Sequence, residues 1–170
     1  MVVNRKKLRL KGYDYSLQGC YFITILTEHR RNLFWSGEKL STLGMIAEKH
    51  IKMIPDKYFG VKIDNYAIMP DHIHLLITIG CDALPNDDET LMNDFKGLYK
   101  FKDISTIIGS FKSSITKEIR NIYPEMTIWH RSYYDHIIRN MDDYNETWDY
   151  IQNNPNVYLA CRQQISQRDG

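Results

Sequence analysis

An α+β fold is predicted, with a four-stranded antiparallel sheet, two helices on one of its faces and a further helix at the C-terminus. Three observations carry the prediction. Strand-like stretches alternate with strongly amphipathic ones in the order β-α-β-β-α-β-α; the two middle strands are separated by only a tight turn; and the 170 residues, 43% hydrophobic and 25% charged, suit one globular domain spanning 1–170.

The elements follow in order. "CYFITILTE", 20–28, is aromatic and β-branched and reads as the first strand. In 38–58 the residues Leu43, Ile46, Ala47, Ile51 and Ile54 recur at helical spacing, and Pro55 is expected to close the helix. "VKIDNYAIM", 61–69, a turn at "PD", and "HIHLLITIG" from His72 make a hairpin. Residues 81–103 are polar and aperiodic, an inserted loop. Asp103 is a suitable N-cap for a helix that sets Ile104, Ile107, Ile108, Phe111, Ile115, Ile119 and Ile122 on one face. "SYYDHIIRN", 132–140, is the fourth strand, and "MDDYNETWDYIQNN" is a last helix expected to stop at Pro155. Without that last helix the order is the ferredoxin-like (RRM-like) split βαβ arrangement. Its isoleucine-rich strand face packs on the helices and its opposite face is expected to lie open.

Charge and composition narrow the function. A net charge of +1 argues against coating nucleic acid indiscriminately, but five basic side chains, Arg5, Lys6, Lys7, Arg9 and Lys11, crowd into the N-terminal arm, 1–18. Such an arm suits a few phosphates; it is also what a solvated terminus looks like. No stretch approaches the roughly 18 apolar residues of a membrane span, and no apolar segment of signal-peptide type follows the basic start. The three cysteines, Cys20, Cys81 and Cys161, are far apart and form no CxxC pair, so a reducing cytoplasm is expected.

The chemistry concentrates at "HIH". Alternation sends Ile73, Leu75, Ile77 and Ile79 to one face of the strand and His72, His74, Leu76 and Thr78 to the other. Two neutral imidazoles side by side on a rigid strand suit one divalent cation with positions left for substrate. The same spacing also fits two half-exposed, hydrogen-bonded histidines. In the last helix, Met141, Tyr144, Trp148 and Ile151 cluster as an expected buried stripe, about 80° wide. Tyr150 then points away from that stripe with Asn154 one turn further on. A tyrosine so placed is either a surface residue or a nucleophile, with the Asn154 carboxamide as an oxygen ligand.

The blocks "YDYSLQGCYFITILTEHRRNLF", "NYAIMPDHIHLLI", "IIGSFKSSITKEI", "WHRSYYDHIIRN" and "YIQNNP" together resemble the single-tyrosine HUH transposases, in the branch of REP-associated tyrosine transposases related to insertion-sequence-200-like enzymes. They run in family order from about Gly12 to Pro155. The resemblance implies that His72 and His74 hold Mg²⁺ or Mn²⁺, with Asn154 at a position where relatives often carry glutamine. Two histidines shade the preference towards Mn²⁺, while availability favours Mg²⁺. It implies Tyr150 as the nucleophile on single-stranded DNA, forming a 5′-phosphotyrosine and releasing a 3′ hydroxyl, and hairpins of palindromic repeats as the substrate. Whether the chain acts as a monomer or a homodimer stays open.

The N-terminal arm, Lys112 and Arg131 are candidate DNA contacts, and Lys117, Arg120 and Arg139 are further ones. Trp129, Tyr133 and Tyr134 suit either base stacking or core packing; His130 and His136 are read as structural. A second class of function is a domesticated or catalytically silent relative that binds structured single-stranded DNA without cutting it, although binding alone needs no phenol beside a cation. An RNA-binding module would carry paired exposed aromatics where this sequence has histidines.

Overall fold

A computed structural model describes residues 18–80 and 101–166, with side chains to residue 160. The N-terminal arm and most of the predicted 81–103 loop lie outside the described residues.

The chain begins with strand β1 (Gly19–Leu26) and a short 3₁₀ turn (Glu28–Arg30). Next come the two-residue strands β2 (Trp35–Ser36) and β3 (Lys39–Leu40), then helices α1 (Thr42–Lys52) and α2 (Ile54–Lys57). The hairpin β4 (Val61–Ile68) and β5 (His72–Ile79) precedes helix α3 (Ile104–Arg120), strand β6 (Tyr134–Ile138) and helix α4 (Met141–Ser166). The main sheet has the order β4-β5-β1-β6, and each described neighbour pair is antiparallel. That is the split βαβ topology predicted from the element order.

The predicted strand alternation is realised. Ile73, Leu75, Ile77 and Ile79 are fully buried in one core with Tyr21, Ile23 and Ile25 of β1, Ile46 and Ile51 of α1, and Ile107, Ile108, Ile115 and Ile119 of α3. The two longer helices of the main core start as their sequences direct. The Ser41 hydroxyl accepts from the Gly44 N–H at α1, and the Asp103 carboxylate accepts from the Thr106 N–H at α3.

Several expectations are corrected. The helix predicted over 38–58 begins at Thr42, because 35–40 forms the small β2–β3 hairpin. Pro55 does not end a helix; it sits in the first turn of α2, where a missing N–H breaks no bond. Ile122 lies beyond α3 and is half exposed. Helix α4 is not stopped by Pro155 but runs through it to Ser166, with Tyr158 edge-on to Trp35 beyond the proline. A proline removes one helical hydrogen bond, and that packing supports the turn past it.

The second sheet face is not left open. Helix α4 lies across β4 and β5, where Ile151 joins Ala67, Met69 and Leu76 in a small second core. The docked line therefore keeps Tyr144 and Ile151 of the predicted stripe but not Met141 and Trp148. Thr147 and Ile151 are buried, while Met141 and Trp148 are exposed. Contact with the sheet selected the face, overriding the apolarity of Met141 and Trp148.

Candidate active site

The site begins with a hairpin turn held from outside the hairpin. The Asp71 carbonyl accepts from the Thr27 N–H at 2.9 Å and lies 3.0 Å from the buried Thr27 hydroxyl. The Pro70 carbonyl accepts from the N–H groups of Leu33 and Phe34. The segment making these contacts passes through two consecutive non-glycine residues in left-handed backbone, His29 (φ 55°) and Arg30 (φ 52°). Each such residue costs on the order of 1 kcal/mol. The strained turn delivers the Arg30 guanidinium to the Asp71 carboxylate, Nε to Oδ2 at 2.8 Å.

From this turn β5 leads away with His72 and His74 on the same face, beneath α4. Their Nε2 atoms stand 3.0 Å apart, and each Nδ1 is engaged behind. His72 Nδ1 lies 2.5 Å from Asp71 Oδ1, and His74 Nδ1 lies 3.0 Å from the Thr24 hydroxyl on β1. A carboxylate only accepts hydrogen bonds, so His72 carries its proton on Nδ1 and offers a lone pair at Nε2. With a lone pair at His72 Nε2 only 3.0 Å away, His74 donates to it from Nε2 and accepts from the Thr24 hydroxyl at Nδ1 in the metal-free protein. Burial, reinforced by the neighbouring His72, pushes the His74 pKa down to about 3, against the opposing pull of Asp71. His74 is therefore neutral at physiological pH, the form that ligates a metal.

Helix α4 brings the third group. Taking about 100° per residue, the docked line of Tyr144, Thr147, Ile151, Asn154 and Tyr158 leaves Tyr150 on its flank. The Tyr150 ring stands with its centroid 5.3 Å from that of His74 and 5.9 Å from that of Phe22, edge-on to both, while about half of the residue faces solvent. The expectation that Tyr150 points away from its helix's buried side is thus amended: it borders that side and reaches the histidines. Asn65, just after a bulge in β4, donates from Nδ2 to the Trp148 carbonyl at 3.3 Å and ties down the turn before Tyr150. Asn154 is half buried one turn beyond Tyr150, on the docked side.

The two facing imidazole nitrogens could serve a divalent cation as neighbouring ligands. Among the described residues no group of three or more His, Cys, Asp or Glu side chains forms a cation cage. Among the described residues a further ligand would be of another kind, such as the Asn154 carboxamide.

The candidate DNA contacts separate. Arg5, Lys6, Lys7, Arg9 and Lys11 lie outside the described residues. Lys112 is turned inward: its ammonium donates to the His130 carbonyl at 2.7 Å and lies 3.5 Å from that of Arg131, and burial lowers its pKa. Arg131 is exposed. Of the three aromatics, Trp129 packs against Phe34 and Phe111 and Tyr133 is buried, while Tyr134 is half exposed on β6 opposite Thr24. His136 joins β6 to α4 by pairing with Asp143 at 2.8 Å.

Sequence reasoning missed Asp71, Thr24, Phe22, Asn65 and Arg30. Asp71 adjoins the histidine pair but was read only as a turn former. Thr24 and Phe22 become visible only through the β1–β5 register, which pairs Thr24 with His74 and Phe22 with Leu76.

No family profile matches the chain. It is 34% identical over 161 residues to an uncharacterised protein of Haemophilus influenzae, covering 89% of this chain and 88% of that one. It is 26% identical over 141 residues to a REP-associated tyrosine transposase of Escherichia coli, covering 83% of this chain and 68% of the relative. Its fold is similar, with a TM-score of 0.56 and 22% identity over 88% of this chain and 74% of the other, to a solved structure of a REP-associated tyrosine transposase bound to a REP hairpin. With the split βαβ topology, these relationships support the family: by sequence the chain is related to the REP-associated tyrosine transposases.

Proposed function

We propose that this protein is a metal-dependent strand transferase that nicks and rejoins single-stranded DNA at hairpins of palindromic repeats, using Tyr150 as its nucleophile. The observation that carries the proposal is the meeting of Tyr150 with His74, and of His74 with His72, on one rigid sheet face. Relatives of the same family, one of them bound to a hairpin, support the substrate class.

Tyr150 Oη attacks the scissile phosphorus as the phenolic proton departs. The P–O3′ bond breaks, the leaving oxygen takes up a proton as a 3′ hydroxyl, and the 5′ side of the strand remains esterified to Tyr150. That ester conserves the bond energy, so a second 3′ hydroxyl can reverse the step without a nucleotide cofactor. His72 and His74, with Asn154, would hold Mg²⁺ or Mn²⁺. When bound, the cation would polarise the phosphate and offset charge developing on its oxygens. Phe22, packed against both the His74 and Tyr150 rings, fixes the angle between histidines and nucleophile.

The test is to incubate the full chain with Mg²⁺ or Mn²⁺ and labelled single-stranded hairpins from the DNA flanking its gene. A covalent adduct is expected for the native protein. Tyr150→Phe should lower it by at least about 10³-fold, and His72→Ala should abolish it at equal folding. Tight hairpin binding with no adduct under either metal would replace this reading with that of a catalytically silent hairpin binder.

A further inference from the structure

The histidine pair is asymmetric behind its ring faces. Asp71 spends one carboxylate oxygen on His72 Nδ1, at 2.5 Å, and the other on Arg30 Nε, at 2.8 Å. Neither Asp71 nor His72 is substantially exposed, at 17% and 15% of their side-chain surfaces. The Asp71 main chain is clamped by Thr27, and the turn delivering Arg30 is held in left-handed conformation at two successive non-glycine residues. Backbone of this kind persists where the surroundings over-determine it. Here it is maintained by contacts that converge on the turn bearing Asp71. His74, by contrast, has only the Thr24 hydroxyl behind it.

We infer that Arg30 and Asp71 form a positioning pair for the proposed reaction, fixing His72 as its Nδ1-protonated tautomer so that Nε2 carries the lone pair, which accepts from His74 in the metal-free protein and would face the cation when one is bound. Asp71 touches neither the cation nor the reacting phosphorus; it acts through His72. Carboxylates behind ligand histidines set tautomer and orientation in this way and raise ligand basicity. Arg30 keeps the second oxygen occupied, so the carboxylate cannot rotate off the ring. His72 is therefore locked, whereas His74, which donates from Nε2 to His72 in the metal-free protein, would move its proton to Nδ1 when a cation displaces that contact, the Thr24 hydroxyl switching from donor to acceptor. The inference rests on the proposed function only for its purpose, since the tautomer is a property of the metal-free protein.

The experiment uses the full chain without DNA, in two measurements. Long-range ¹H–¹⁵N correlation spectra of the imidazoles at alkaline pH read the tautomer of His72. Mn²⁺ titration followed by electron paramagnetic resonance reads cation affinity. The native protein is expected to show a single Nδ1–H tautomer at His72. Asp71→Ala should mix the tautomers and weaken Mn²⁺ binding about 10- to 100-fold. Asp71→Asn, of the same shape and still able to accept at Oδ1, should retain the tautomer with a smaller loss of affinity. Arg30→Gln, at an exposed position, should weaken Mn²⁺ by about two- to fivefold. Should Asp71→Ala fail to fold, Asp71→Asn and Arg30→Gln decide the matter: native Mn²⁺ affinity in both overturns the inference. An unchanged His72 spectrum in folded Asp71→Ala overturns it as well. A tautomer controlled by Asp71 in a protein that makes no DNA adduct would support the positioning role while removing the transposase reading.

Discussion

The two faces of the central sheet are built on opposite principles. Beneath α1 and α3, β5 contributes four fully buried aliphatic side chains to a core continuous through both helices. Beneath α4, the same strand contributes two histidines, and the fully buried apolar contact with the helix is chiefly Ile151 on Leu76. The first face is held by non-directional burial, which tolerates small displacements of each partner. The second is held by directional contacts: Asp71 to His72, Thr24 to His74, Asn65 to the Trp148 carbonyl, His136 to Asp143. Stability comes mainly from the isoleucines, and angular definition of the site from hydrogen bonds on a face too thinly packed to supply it otherwise.

The sharpest way to break this contrast is to truncate one isoleucine on each face. Ile77→Ala should cost about 3–4 kcal/mol of global stability, as buried aliphatic truncations do, with activity per folded molecule nearly unchanged. Ile151→Ala should cost less globally, about 2 kcal/mol at most, because α4 can lift from the sheet without unfolding the rest. It should instead accelerate hydrogen exchange throughout α4 and reduce adduct formation by Tyr150. Equal global losses from denaturant melts of the two variants would show α4 to be an integral part of the main core.

The next effect in size belongs to Thr24. Thr24→Val preserves shape and strand propensity but removes the partner of a 96%-buried imidazole, leaving His74 Nδ1 unsatisfied. His74 itself is 4% exposed, so the loss should be about 1–2 kcal/mol. Thr24→Ser should recover most of that loss and of the adduct yield, since only the hydroxyl is used. A valine variant as stable and active as the native protein would mean that the β5 strand alone orients His74.

These two faces also differ in how far they were legible beforehand. Isoleucine periodicity is a local signal repeated many times, so the registers of β5 and α3 could be read directly, from Ile73 to Ile79 and from Ile104 to Ile119. His72, His74 and Tyr150 were singled out by local patterns, HxH on an alternating strand and a tyrosine beside a carboxamide one turn on, and given roles by the family resemblance; the structure brings the three side chains together. What holds them was not legible. Thr24 and His74 are 50 residues apart, and Asn65 and Trp148 are 83 apart. Asp71 was adjacent in sequence, but its "PD" context signals a turn so strongly that its second use went unread. The docked side of α4 was misjudged for a related reason. Helical-wheel apolarity favoured Trp148 and Met141, whereas the sheet beneath offers a small surface of Ala67, Met69 and Leu76 that accepts Thr147 and Ile151.

The smallest effect is expected on the outer surface of the helix layer, where Glu118 of α3 receives Lys49 at 2.9 Å and His50 at 2.9 Å from α1. Hydrogen bonds from Lys49 and then His50 hold the Glu118 carboxyl below the usual carboxylate range. A depressed carboxylate contributes stability that is complete above its unfolded pKa and is lost as pH falls through the folded one. Glu118→Gln should therefore destabilise at neutral pH by only about 0.5 kcal/mol, since a third of the side chain is solvated and the pair is screened. The gap between native and variant melting temperatures should close as pH drops below about 4. It should do so without any change in cation affinity or adduct chemistry, because Glu118 lies on the side of the sheet covered by α1 and α3, away from the histidines. A variant that altered Mn²⁺ binding would show that the helix layer is coupled to the histidine face through the sheet, and the division of labour between the two faces would have to be redrawn.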